Sequence, residues 1–272
     1  MTYSRNGAAK LIKKGTVKMA FSLYQEFYKL SHRKLAWLAP LVLLVLMIST
    51  GLAMGYNESR LLMATCYDAP DWMMLILVVV GATTFSMEFQ NNAILTLLYK
   101  SPNKALVYLA KYLVILAYNV WLHLIAILLT VGLHALPMNQ SIAWSVRYRY
   151  QQPLWENMLK TMTLDILTTT FIISLIFLLS CLINSNAVVI SVSLLMVFMG
   201  QFISANLLNA GKFTQVLRWN PFNMTNLTRQ YYNHATYFDT SHLLNQQLIL
   251  GTLGYTLLFV VAGYLIFRKK RF

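Results

Sequence analysis

Charge is what this sequence has least of. Only 11% of its 272 residues are Asp, Glu, Lys or Arg, while 58% are hydrophobic; an ordinary soluble domain carries roughly 25% charged residues. A water-soluble fold of this length could not hide so much apolar surface, so the bilayer sets the architecture and no separate soluble domain is expected. Acids are scarcer still, eight against 22 Lys and Arg, which leaves a net charge of +14. That balance would suit nucleic acid, but the placement of the bases argues against it. Eight of them precede the first apolar run, and Arg268, Lys269, Lys270 and Arg271 follow the last. Basic residues flanking apolar runs hold a membrane topology and meet anionic headgroups. Cysteine is limited to Cys66 and Cys181, expected near opposite membrane faces, which excludes a disulfide framework. Enzyme signatures are missing too. There is no Gly-x-x-x-x-Gly-Lys-Ser/Thr phosphate loop, no Gly-x-Ser-x-Gly elbow and no His-Glu-x-x-His helix, and the five histidines lack ligand spacing. No catalytic, cofactor-binding or metal-binding residue is assigned.

What the chain does have is apolar runs of spanning length, each near the roughly 20 residues that cross the hydrocarbon. They predict an all-α polytopic membrane protein with six transmembrane helices, at about 35–55, 72–87, 112–136, 162–183, 187–208 and 243–267. Residues 1–16 read as a flexible basic tail, with Met19 an alternative start. Over 17–34, Val17, Ala20, Phe21, Tyr24, Phe27 and Tyr28 recur at helical spacing between polar residues. This predicts an amphipathic helix in the interface, or else a plain extension of the first span. Lys and Arg number fifteen on one side of the six spans and seven on the other, which places both termini in the cytoplasm.

The third span carries the sharpest internal signal. Tyr112, Asn119, His123, Thr130 and His134 fall within roughly 60° of one another on a helix. Polar groups facing lipid are costly, so this stripe should face the bundle interior, a partner subunit or a water-filled path. It lines a pathway or dimer seam, or it serves as hydrogen-bonding glue between helices. Asp165 is the only acid within a predicted span. It is expected near the outer boundary, paired with Lys160 or Arg149. In the fifth span Ser193, Gly200 and Ser204 share a small-residue face suited to close helix packing. Residues 209–242 are long and aromatic, and are expected to form short helices dipping into the outer interface.

Three segments, in order, carry a resemblance to a known family. They are Glu26, Lys29 and Leu30 with Arg33 and Lys34 before the first span; Glu88 through Pro102 and Lys104, then Lys111, after the second; and Asn220-Pro221-Phe222 before the last. Together with six spans they resemble the ABC-2 type permeases, although Asn91-Asn92 stands where that family usually has Gly-Thr. The resemblance implies a half-transporter that dimerises with a second copy or a paralogue. It also implies cytoplasmic ATPase subunits that bind ATP and Mg, this chain binding no cofactor itself. Small bacterial members of the family export, or give immunity to, antimicrobial peptides, lantibiotics and drugs. On this reading Glu26, Lys29 and Arg33 belong to the interfacial helix. Glu88 opens a coupling segment whose Ile94, Leu95 and Leu98 dock on the ATPase. The competing reading is a self-contained secondary transporter or channel using Asp165 and His123.

Overall fold

A computed structural model of the chain describes residues 19–90, 103–136, 142–211 and 213–270. The basic tail therefore lies outside the described residues. Six helices have the length and hydropathy to cross a membrane: α2 (Lys34–Met54), α4 (Ala69–Gln90), α5 (Lys104–His134), α6 (Leu154–Leu182), α7 (Asn186–Asn209) and α11 (Asn245–Lys269). Around them lie α1 (residues 19–31), α3 (Ser59–Ala64), α8 (Thr214–Leu217), α9 (Leu227–Tyr232) and α10 (His234–Ser241). No strand occurs among the described residues.

Two helices begin well before the apolar runs that announced them, α5 at Lys104 rather than 112 and α6 at Leu154 rather than 162. Hydropathy marks only the stretch that meets lipid, whereas backbone hydrogen bonding propagates until a cap stops it. For α5 the cap is Asn103, whose side chain accepts from the Ala105 amide at 3.0 Å. The helix of α4 likewise runs through Glu88 to Gln90. Glu88, expected to open the coupling segment, thus lies in the last turn of α4. Its side chain, and the coupling residues Ile94, Leu95 and Leu98, lie outside the described residues.

The centre of the bundle is α6, which packs against α4, α5, α7 and α11, with α2 set against α4 and α5. Most of α4 and α6 is buried, while α2, α7 and α11 expose most of their surface. That surface is apolar, for example Leu41, Val45, Phe198, Phe202, Leu250 and Leu257. In water it would be an aggregation hazard; in a bilayer it is the lipid-facing wall.

One end of the bundle is laced by lysines that cap helix C-termini. Lys104 donates to the carbonyl of Lys270 at 2.8 Å, and Lys270 donates to the Cys181 carbonyl at 3.1 Å and to Asn184. Below the lacing, Phe85, Tyr108, Phe177 and Phe267 form one aromatic cluster. The other end is closed by α3, the 142–153 loop and the 213–244 segment. Cys66 and Cys181 belong to opposite ends, and both are free and buried.

The 213–244 segment does more than lie on the interface. Residues 223–228 are buried, and Met224 and Leu227 reach the core beside Val78, Ile172 and Leu248. This re-entrant stretch starts at the Asn220-Pro221-Phe222 triplet. Asn220 accepts from the Asn223 amide at 3.0 Å and donates to Ser204 at 2.9 Å. Phe222 seats on Gly200, where an added Cβ would come within 2.8 Å of its ring. The small-residue face of the fifth span therefore accommodates a segment of the same chain.

Candidate functional site

The third-span stripe turns inward, onto the chain's own fourth span. Tyr112, Asn119, His123 and Thr130 are all buried, and His134, partly buried, stands edge-on to Trp144 at 5.0 Å. Asn119 donates to the Thr169 hydroxyl at 2.9 Å, and His123 fixes its ring through Nδ1 and the Asn119 carbonyl at 2.8 Å. Its Nε2 meets Asp165 at 3.0 Å, with both side chains at most 1% exposed. The second oxygen of Asp165 accepts from Thr228 at 3.1 Å, and Thr228 in turn lies 2.9 Å from Thr168. One network thus joins α5, α6 and the re-entrant α9.

This corrects the expected pairing of Asp165 with Lys160 or Arg149. Its partner is His123, while Lys160 pairs with Glu156 at 2.8 Å. The physical reason is desolvation. A carboxylate inside a bundle needs donors on every lone pair, and the imidazole and Thr228 are already held in place there. Lower on the stripe Thr130 donates to the Ala126 carbonyl, next to the Cys66 thiol, which burial pushes up to about 12. The Tyr112 hydroxyl is buried with no hydrogen-bond partner among the described residues, its ring packed on Phe177 at 5.4 Å.

A second cluster lies where the interfacial helix meets the bundle. Residues 19–31 form a helix of their own, broken from α2 at the extended Arg33, so the segment is not an extension of the first span. It points Phe21, Tyr24 and Phe27 outward, each at least 60% exposed, and turns Glu26 inward. Aromatics toward lipid and a carboxylate toward protein suit a helix lying in the interface. Glu26 is clasped by the fully buried Lys111 at 2.7 Å and by Lys29 at 2.7 Å. Burial opposes its ionisation, but Lys111 and Lys29 hold its carboxyl below the usual range. Arg33 donates to the Thr83 carbonyl of α4 at 2.9 Å. Glu26 therefore ties α1 to α5 and Arg33 ties the elbow after it to α4, while Lys29 braces Glu26 from within α1.

On the opposite end Arg229 binds Asp71 at 2.8 Å and also Gln201, joining α9 to α4 and α7. Just before α4, residues Cys66, Tyr67 and Asp68 are successive left-handed residues, with φ of 52°, 55° and 61°. Such a turn strains residues bearing a Cβ. Burial first, and the neighbouring Asp71 second, push the Asp68 carboxyl up to about 7. Among the described residues, no cluster of His, Cys, Asp or Glu has the makings of a metal site.

Residues 22–200 match the model of a family described as ABC-2 family transporter protein. The chain belongs to that family. No curated protein matches it. As an ABC-2 family member it is a membrane component rather than a catalytic subunit. The matched region holds the Glu26 clasp and the His123–Asp165 pair, while Thr228 and Arg229, which complete the two outer networks, come from beyond it. Sequence reasoning missed both of these residues, along with Thr169 and the role of Lys111 as partner to Glu26. The run Thr168-Thr169, three and four residues after Asp165 and hence on its helix face, was the available signal. The aromatic residues of 209–242 announced short helices dipping back at this end, but not that the polar 223–228 stretch would reach the core.

Proposed function

We propose that this chain is the membrane-spanning subunit of an ABC exporter, driven by separate ATPase subunits that hydrolyse ATP with Mg. The family match over α1 to α7 carries this reading, and the sequence agrees with it in having no phosphate loop of its own. In this reading two permease chains, identical or paralogous, form the transporter in the plasma membrane, with both termini in the cytoplasm as the fifteen-to-seven distribution of bases favours. The cargo leaves the cell and is an antimicrobial peptide, a lantibiotic or a drug, a class that rests on resemblance to small bacterial members.

The coupling segment runs from Glu88 to Ser101, and Ile94, Leu95 and Leu98 form its docking face. The Glu26–Lys111 clasp then sets α1 firmly against α5, so that force from the ATPase reaches α5 and, through His123–Asp165, the centre of the bundle. The stripe acts as an internal joint in this account, and it meets cargo only when α5 and α6 part. The decisive experiment is the Leu95→Asp variant. It should lose both ATPase co-purification and export while membrane abundance holds. Retention of both would place the coupling surface elsewhere.

The competing reading, a secondary transporter worked by protons on Asp165 and His123, has one observation in its favour, namely that the two groups do form a buried pair. It predicts transport driven by a pH gradient without nucleotide.

A further inference from the structure

An apolar groove of about 320 Å³ opens at the elbow between α1 and α2, walled by Phe27, Leu30, Trp37, Val114, Tyr118 and Trp121. That volume lies within the range of ligand-binding pockets, roughly 300–1,000 Å³. Its walls are fixed by the backbone chemistry of the elbow. Pro40 has no N–H to give to the Ala36 carbonyl, and the Tyr118 hydroxyl supplies the missing donor at 2.8 Å. The carbonyl of Ser31, at the end of α1, receives the Trp37 indole N–H at 2.6 Å. Trp121 stands edge-on to Trp37 at 6.0 Å and stacks beside Tyr118 at 5.4 Å. The groove is therefore preformed rather than a gap that side chains could fill. Even so, Phe27 and Trp37 remain 60% and 61% exposed.

A second hollow shares Trp37 with the groove and is bordered by His32 and Lys34, both exposed. Cation and apolar slot thus adjoin at the level where an interfacial helix turns into a span. We infer that this elbow is a binding site for an anionic phospholipid, one acyl chain lying in the aromatic groove and the headgroup on Lys34 and His32. A second copy of the chain fits less well. A two-fold contact would bring the same patch of each copy together, setting the Lys34 side chains against each other. This inference stands apart from the transport reading, since it concerns retained lipid only.

The test uses the full chain reconstituted in vesicles of equal phosphatidylglycerol and phosphatidylcholine, extracted in mild detergent and weighed by native mass spectrometry. The wild type should retain phosphatidylglycerol roughly fivefold over phosphatidylcholine, the contribution of one basic residue near an anionic headgroup. Ala117→Trp, which fills the groove, should lose the retained lipid; if that variant does not fold, Trp37→Ala on the exposed rim should lose it instead. Lys34→Gln should keep lipid without headgroup preference. Undiminished lipid in the groove variants, or no headgroup preference in the wild type, would overturn the inference. So would efficient cross-linking of Trp37→Cys into covalent dimers in those vesicles.

Discussion

Replacing Asp165 with Leu would leave the Nε2 of His123 and the hydroxyl of Thr228 facing an apolar interior. Both now end on its carboxylate, at 3.0 and 3.1 Å, and all three side chains are buried. Where a buried pair is ionised, removing one member typically costs about 3–5 kcal/mol. Removing an interhelical hydrogen bond between neutral groups in a membrane costs about 0.6 kcal/mol on average and at most about 1.7. Asp165→Leu should therefore destabilise the chain several times more than Asn119→Leu, which forfeits only the bonds to Thr169. The difference can be read from urea unfolding in mixed micelles, followed by tryptophan fluorescence. The pair also makes a non-additive prediction. Once Asp165 is gone, taking away His123 removes an orphan donor, so the double variant Asp165→Leu/His123→Leu should be no less stable than Asp165→Leu alone. Strict additivity, or an Asp165→Leu cost below about 1.7 kcal/mol, would refute the view that the two groups form one desolvated joint.

Glu26→Gln should free α1 from α5 at a cost of about 3 kcal/mol, the lower end of the range for breaking a buried pair. Because the carboxyl of Glu26 is held below its usual 4.5, the wild-type clasp is at full strength above that value and is lost as pH falls through the lowered one. A spin label at Tyr24→Cys should report both effects as increased mobility. Asp68 has the opposite sign. Raised from 3.8 to about 7, its neutral form is favoured by the fold, so its contribution to stability fades as pH rises from about 4 to about 7. Asp68→Asn should raise the apparent melting temperature at pH 8 and leave it unchanged at pH 4. Gly200→Ala drives a methyl into Phe222 and should cost about 1–3 kcal/mol. Gly132→Ala, with open space around its Cβ, should instead gain up to about 1 kcal/mol from helix propensity.

The parts of the molecule that were legible in advance are those in which one local pattern decides the outcome. Six apolar runs gave six spans, because length and hydropathy alone determine insertion. The third span's polar stripe was legible as one face turned away from lipid, because 100° per residue and the cost of polar groups in lipid require it; that the face meets the chain's own α6, rather than a partner subunit or a water-filled path, was not. Its partners were not legible. They come from α6 and α9, distant in sequence, and their choice depends on how helices rotate against each other. Asp165 went to His123 rather than to Lys160 for that reason, since a helical neighbour close in sequence is nearer on paper but stays at the surface. The re-entrant 223–228 stretch was hidden as well. Its buried Asn223, Asn226 and Thr228 look like a polar loop until the donors and acceptors that satisfy them are known. The role of Tyr118 depended on a single proline in another helix.

The central claim is that the chain works as the passive half of an ATP-driven transporter. Its most direct test is affinity capture of the tagged chain from native membranes, followed by an assay of the captured material for ATP hydrolysis. The account predicts a co-captured subunit with a phosphate loop and Mg-dependent hydrolysis that disappears when Leu95→Asp replaces the wild type. Capture of the chain without any nucleotide-binding partner, together with transport that needs only an ion gradient, would contradict it.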